Sequence, residues 1–421
     1  MPIQNLIIRT GGYPKFVSQG FNDNYLPIWL QDAGYSTYYT GKLFNAHTVE
    51  NWNSPHPAGW TSSDFLLDPY TYEYLNATFQ RNSNPPVSYE GKYTTDIIAE
   101  KAYGLLEEGV NSRKPFFLTI APIAPHSNVR ATQSAPPGEK DPLGEARMTA
   151  PIPAERHVHL FPNAKVPRTP NFNPDEPGGA SWIKKLPQLT DNVIDYNDGF
   201  YRARLQALQA VDELIENIVT RLEDHGVLDN TYIVYTTDNG FHISQHRLNP
   251  GKECGYEEDI NIPLVIRGPG VGIGDEANIV TAHTDLAPTI LKIANGDWKR
   301  GDFDGTPIPL TREALKEEEV VGNRQEHVNV EFWGQAIPEG LYGFDLDEGK
   351  VGECILQTVE HKLNTKQFLM AVITPTKHSV SSEMDIIYTT QYGVQMSMSF
   401  MISLYVCVKT LMNNDRMCTD H

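Results

Sequence analysis

Between residues 202 and 240 a long amphipathic stretch runs straight into a short apolar one, and this junction restricts the possible folds more than any other feature. Leu205, Leu208, Val211, Leu214, Ile215, Ile218, Val219 and Leu222 recur at intervals of three and four, laying one apolar stripe along a helix that Gly226 stops. The β-branched and aromatic run "NTYIVYTTDNG" follows at once and reads as a strand ending in a turn. The same alternation occurs earlier. "NYLPIWLQDAGYSTYYTGK" reads as a helix closed by Gly34, a strand over Ser36 to Tyr39, then Gly41-Lys42. "TTDIIAEKAYGLLEEGV" places Ile98, Ala102, Leu105 and Leu106 on one helix face, and the buried strand "KPFFLTIAPIAPHSNV" follows it. Further on come the strand "NIPLVIRGPG" and a helix in "HTDLAPTILKIANG" capped by Thr284 or Asp285. Strands alternating with crossover helices predict an α/β fold. Residues 130 to 195, rich in Pro, Gly, Asn and Lys with weak periodicity, read as a long surface excursion suited to a substrate loop.

In such sheets ligands sit in the crevice beyond the carboxyl ends of the strands. Lys42 follows "STYY", His126 follows "FFLTIAPIAP", and Asp238-Asn239 follow "YIVYTT", so three polar clusters distant in sequence are expected at one sheet edge. Each has a bland reading. Asp238-Asn239-Gly240 could be an Asx turn rather than a hard-oxygen ligand pair for Ca²⁺ or Mg²⁺. Lys42 could be a solvated lysine at a helix start, His126 a satisfied core histidine, and Lys252 a loop cation. His242 and His246 lie four apart, a spacing that binds metals on a helix, although Asn249-Pro250-Gly251 argues against a helix there. Taken together, a divalent cation, two lysines and a histidine form the set that a charged oxyanion ester requires.

The formal net charge of −19 argues against nucleic acid and against an anionic membrane surface as partners. It leaves open an anionic small substrate, whose binding depends on local cations. Cys254, Cys354, Cys407 and Cys418 form no disulfide framework and no zinc-ligand spacing. No apolar run reaches the roughly 18 residues of a spanning helix, and "MPIQNLIIRT" is too short and too polar for a signal peptide. Asn76-Ala77-Thr78 is an N-glycosylation triplet, a weak hint of secretion.

"YTTDNGFHISQHRLNPGK" followed by "YEEDINIPLVIRGPG", with "LPIWLQDAGYSTYYTGKLFN", "KPFFLTIAPIAPHSNV" and "TDLAPTIL", resembles the sulfatase family, and within it the fungal arylsulfatase and glucosamine-6-sulfatase-like branch. The resemblance covers about residues 11 to 345 and is specific as an ordered set. It implies an alkaline-phosphatase-like α/β fold, a mixed sheet flanked by helices, and hydrolysis of sulfate esters of aryl or sugar type with bound Ca²⁺. By position, Asp238 and Asn239 resemble the second pair of metal ligands, Lys42 and Lys252 the sulfate-contacting lysines, and His126 the histidine beside the leaving group. His242 would line the substrate entrance. Intact relatives of this kind are expected in the secretory pathway. A phosphatase or phosphodiesterase of the same superfamily and a non-catalytic anion-binding relative are the alternatives.

The sequence departs from the family pattern in two places. Many sulfatases have a histidine two positions after the residue resembled by Lys42; this chain has Phe44 and then Asn45, which becomes the substrate-side candidate. The C/S-x-P-S-R motif that yields the formylglycine nucleophile, and the Asp-Asp pair before it, do not occur in these residues. The expectation is therefore a sulfatase core over 1–300 lacking the first strand and nucleophile segment, the start of a C-terminal subdomain over 301–350, and little or no activity. After residue 350 the composition shifts, with seven of the nine methionines lying there. Read one base out of frame, the codons for "YGVQMSMSFMI" are compatible with a W-x-x-N-E-H-E-L-Y-D run of the family. Residues 351–421 are accordingly expected to be an aberrant tail outside the fold, with "GEC" at 352–354 able to encode a splice-donor string. A spliced message that keeps the written frame would defeat that expectation.

Overall fold

The computed structural model describes residues 12–131, 146–252, 254–301, 303–321, 328–331, 339–343, 370–373 and 402–409. Strands β1 (Ser36–Lys42), β2 (Ser62–Leu66), β3 (Thr78–Arg81), β4 (Val87–Ser88), β5 (Phe116–Ala121), β8 (Thr231–Thr237), β9 (Val265–Arg267) and β12 (Ile402–Val408) form one sheet in the order β4-β3-β2-β1-β5-β12-β8-β9. The pairs β6 (Asn128–Ala131) with β7 (Ala146–Thr149), and β10 (Val328–Glu331) with β11 (Met370–Ile373), are separate two-stranded ribbons. β1 is parallel to β2 and β5, while β12 runs antiparallel to both β5 and β8, so β5 and β8 point the same way. The carboxyl ends of β1, β5 and β8 therefore open on one edge.

Alternation along the strands divides the core between two helical layers. Phe116, Leu118 and Ile120 of β5, with Leu404, Val406 and Val408 of β12, pack against helices α3 (Thr94–Asn111) and α4 (Asp191–Asp224) through Ile98, Leu105, Leu208 and Leu214. Phe117, Tyr232 and Cys407 point to the other face, where Leu30 of α2 (Leu26–Asp32) and Ile290, Leu291 and Ile293 of α6 (Leu286–Ile293) cover them. Burying each such large apolar side chain contributes about 1.5–3 kcal/mol, which is why the pattern rather than any one residue decides the layering.

Three expectations change. The strand after "GYS" extends through Lys42, with Gly41 at φ 103° as its hinge. A Cβ on Gly41 would stand 2.0 Å from the Ala121 carbonyl oxygen, so only glycine allows β1 to lie this close to the end of β5. Helix α4 begins at Asp191, well before the apolar stripe, because Asn197 and Asp198 are buried on its inner face with polar partners: Asn197 donates to Ser244 Oγ (2.8 Å), and Arg168 pairs with Asp198 (2.7 Å). Hydrophobic periodicity does not register buried polar pairs. The excursion before α4 is tied to the helices, with Arg156 paired to Asp96 of α3 and Glu213 of α4.

The third change concerns the tail. Ile402–Val408 lies within 351–421, the stretch expected to stay outside the fold, yet it pairs along its length with β8 and over five residues with β5. For these seven residues that expectation does not hold. Parallel β5 and β8 carry backbone donors and acceptors in the sheet interior, and an apolar β-forming segment of matching length satisfies both ladders at once. Most of the remainder of 351–421 lies outside the described residues.

Candidate active site

Lys42 ends β1, His126 follows β5, and Asp238 and Asn239 follow β8, so the carboxyl ends of these three strands, with antiparallel β12 between β5 and β8, deliver them to one edge. Lys252 arrives on the return of the loop after β8, where His242 and Gly251 form a backbone bridge. Its Nζ lies 3.2 Å from His126 Nε2. Nδ1 of His126 lies 2.8 Å from the Ser127 carbonyl oxygen, an acceptor only, so Nδ1 carries the proton and Nε2 offers its lone pair to the Lys252 ammonium. Burial, and next the charge of Lys252, hold His126 well below the usual imidazole range. The ring is neutral near pH 7.

Tyr72 joins the two halves of the site. Its ring stacks on His126 at a centroid distance of 4.2 Å, its oxygen accepts from Lys42 Nζ, and its hydroxyl donates to Asn45 Oδ1 (3.0 Å). Burial raises the Tyr72 phenol well above its ordinary value, aided by Asp68 and Asp238, so it remains a donor. Lys42 is 8% exposed, and burial pushes its ammonium down to about 8; Asp238 and Asp68 oppose the shift and Lys252 adds to it. Lys42, Asn45, His126 and Lys252 are thus brought together, with Asp238 within electrostatic reach.

Below them lies a second charged layer. Arg204 of α4 is 0% exposed, donates from Nη1 to the Pro125 carbonyl (3.0 Å) and stacks on Phe241. Its Nε and Nη2 have no hydrogen-bond partner among the described residues, and burial lowers its guanidinium to about 9 against the opposing charge of Glu339. Glu339, 3% exposed, accepts from Ser127 Oγ and stands 3.9 Å from Lys252 Nζ. Its amide donates to the Pro250 carbonyl (2.6 Å), which ties the segment after β10 to the Lys252 loop.

His242 requires a correction. It was expected to line an entrance, but it is buried with Nδ1 2.8 Å from Asp259 Oδ1, because the loop folds back onto the short helix α5 (Glu257–Ile260). His246 is not placed beside it on a helix; it stacks on Tyr256 at 3.8 Å. Asn239 Nδ2 donates to the Gly240 carbonyl (2.8 Å).

Tyr72, Arg204 and Glu339 escaped the sequence reading. Arg204 had a signal, since it falls on the stripe of Leu208, Val211 and Ile215, where a charge must be buried. Tyr72 and Glu339 had none.

The sulfatase family model matches residues 4–296. The chain belongs to the sulfatase family. An arylsulfatase of Volvox carteri is 40% identical over 349 residues, 79% of this chain and 52% of that protein. Human N-acetylglucosamine-6-sulfatase is 35% identical over 301 residues, 69% of this chain and 50% of the human protein. This sulfatase chain therefore spans about half the length of the curated relatives it matches. Among solved structures, a protein in complex with its substrate D-glucosamine-2-N,6-O-disulfate aligns with a TM-score of 0.56 at 22% identity, over 75% of this chain and 69% of that one. That likeness places the mixed sheet and its flanking helices in the alkaline-phosphatase-like fold. Members of the family generally use a metal ion. Asp238 and Asn239 are consecutive in the chain and offer a carboxylate and an amide oxygen, donors of the hard class. No described helix is long and apolar enough to cross a membrane.

Proposed function

We propose that the edge formed by Lys42, His126, Lys252 and Asp238 binds the sulfuryl group of a small sulfate ester, aryl or sugar, as the anion-holding part of a sulfuric ester hydrolase. The observation that carries this is the contact of Lys252 Nζ with His126 Nε2 at 3.2 Å, beside a buried Lys42. Two lysine ammoniums converge beside a neutral imidazole, and a bound anion would relieve the repulsion between the two charges that Asp238 and Asp68 only partly oppose. Glu339 beneath offsets part of the charge from the protein side.

In this reading Lys42 and Lys252 hold sulfate oxygens, and Tyr72, locked between Lys42 and Asn45, orients the Lys42 ammonium. His126 faces the ester oxygen that departs. With Nε2 as acceptor it takes a proton first, and the negative charge of the bound ester makes that protonation favourable, so that it can then donate to the leaving oxygen. Asp238 and Asn239 would hold part of a Ca²⁺ shell; when bound, the ion withdraws charge from the sulfate oxygens. The C/S-x-P-S-R nucleophile motif is not among the 421 residues, so this chain by itself is proposed to bind sulfate esters with little or no turnover.

Calorimetric titration with an aryl sulfate and with glucosamine 6-sulfate tests the reading. Binding is expected to weaken as pH rises through about 8, where Lys42 loses its proton. Lys252→Ala is expected to cost at least about tenfold in affinity, the loss of one charge-assisted contact. Equal affinity in wild type and in Lys252→Ala would overturn the assignment.

A further inference from the structure

The loop that returns Lys252 to the site contains a second constellation of different chemistry. His242, Cys254 and Asp259 are all buried, and one donor atom from each lies within 4.8 Å of the other two. Asp259 is doubly held: Oδ1 lies 2.8 Å from His242 Nδ1, and Oδ2 accepts from the Cys254 amide (2.7 Å). Cys254 is a thiol and not part of a disulfide. These residues lie on two adjoining segments, the stretch after Gly240 and the turn into α5, which are stitched together by Gly240 N to Asp259 O (2.7 Å) and Phe241 N to Glu258 O (2.6 Å). A Cβ on Gly240 would lie 2.0 Å from the Glu258 carbonyl oxygen, so the close approach of the two segments requires glycine.

We propose that His242, Cys254 and Asp259 form a binding site for a thiophilic divalent cation, with Zn²⁺ as the fitting ion, separate from the hard-donor pair Asp238 and Asn239. Charge decides the class. A thiolate and a carboxylate neutralise a dication, and a neutral imidazole completes three ligands, so the buried site carries no net charge when filled. Ca²⁺ is excluded by chemistry, because it takes six to eight oxygens and one carboxylate supplies at most two.

Size agrees to within a small movement. Bonds of about 2.0–2.3 Å to N, O and S place tetrahedral donors roughly 3.3–3.8 Å apart, so no pair has to close by more than about 1.5 Å, and the 2.8 Å contact of His242 Nδ1 with Asp259 Oδ1 opens by about 0.5 Å if both atoms are ligands. On binding, the thiol proton goes to solvent as the Zn–S bond forms, and the proton on His242 Nδ1 moves to Nε2 if Nδ1 is the ligand. No oxidant or reductant is involved. The Cys254 amide already holds the second oxygen of Asp259, an outer contact of the kind that orients metal-binding carboxylates. A filled site would fix the segment that ends, two residues before Cys254, in Lys252.

The test uses the full chain, reduced and freed of metal with a chelator, titrated with Co²⁺ as a spectroscopic stand-in for Zn²⁺. The expected result is a thiolate-to-metal charge-transfer band that saturates at one ion per chain and disappears when Zn²⁺ is added. Cys254→Ser should abolish the band, and Asp238→Ala should leave it unchanged. In the wild-type chain, which avoids any folding defect of a variant, one equivalent of Zn²⁺ should protect Cys254 from alkylation at least tenfold, as read by peptide mass spectrometry. No band in a chain folded by circular dichroism, a band that survives Cys254→Ser, or alkylation of Cys254 indifferent to Zn²⁺ would each overturn the proposal.

Discussion

Two arginines in this molecule show opposite responses to the same chemistry. Arg156, 43% exposed in its side chain, forks onto Asp96 and Glu213 over the surface of α3 and α4, and its contacts to those carboxylates raise its guanidinium above its ordinary value. Arg204, inside, has no carboxylate in hydrogen-bond contact among the described residues, and burial lowers its guanidinium to about 9. The surface pair is favourable and worth little, because water competes for both partners. The interior cluster of Arg204, Lys42 and Lys252 costs stability, a cost that the anion proposed above would offset on binding.

The largest expected effect tests the interior side of this contrast. Glu339→Ala removes a counter-charge of Arg204 and Lys252 and should lower stability by about 3–5 kcal/mol in urea unfolding, the cost of orphaning buried charge. A loss below about 1 kcal/mol would show that solvent already screens the cluster.

His47 should come next. It is fully buried against Tyr13, and burial lowers its imidazole to about 4 from an ordinary 6.5. A folded-state value below the unfolded one means the unfolded chain binds the proton first. The contribution is intact above pH 6.5 and declines as pH falls toward 4, by on the order of 3 kcal/mol. His47→Phe should flatten the acid limb of a stability-versus-pH curve over that interval; an unchanged limb would assign acid lability to other groups.

Lys42→Met should move stability and binding in opposite directions. Because the buried ammonium is lowered to about 8 from 10.5, the unfolded chain holds more protons between those values, and wild-type stability rises with pH across that window. The variant should be more stable near pH 7 by about 1–3 kcal/mol, lose the rise above pH 8 and lose sulfate-ester binding. Destabilisation by this substitution would contradict the idea that the ammonium is strained by burial. Smallest of all, Arg156→Ala should cost less than about 1 kcal/mol and even less in high salt. A larger, salt-insensitive loss would erase the contrast between the two arginines.

Much of the scaffold was legible because apolar periodicity reports which face a helix or strand buries. α3, most of α4, β5 and β8 all follow it, and their placement brings Lys42, His126 and Asp238 to one edge. The amino-terminal turns of α4 were not legible, since Asn197 and Asp198 are buried by pairing rather than by hydrophobicity. Nor was β12: "ISLYVCV" is a credible strand by composition, but a strand acquires meaning only from its neighbours, and nothing local states that β5 and β8 would flank it.

The linear order of residues by itself determined that this is an α/β chain of the sulfatase family whose polar motifs terminate strands, because periodicity and motif order are local properties. Only the tertiary structure decided that Tyr72 would bridge Lys42 and His126, that Glu339 would lie beneath Lys252, and that His242 would turn to Asp259. Such pairings at the site join residues up to 212 positions apart, as between Ser127 and Glu339. They arise because buried charges and donors must find partners within a few ångströms, a requirement that acts on distance in space and leaves no trace in spacing along the chain.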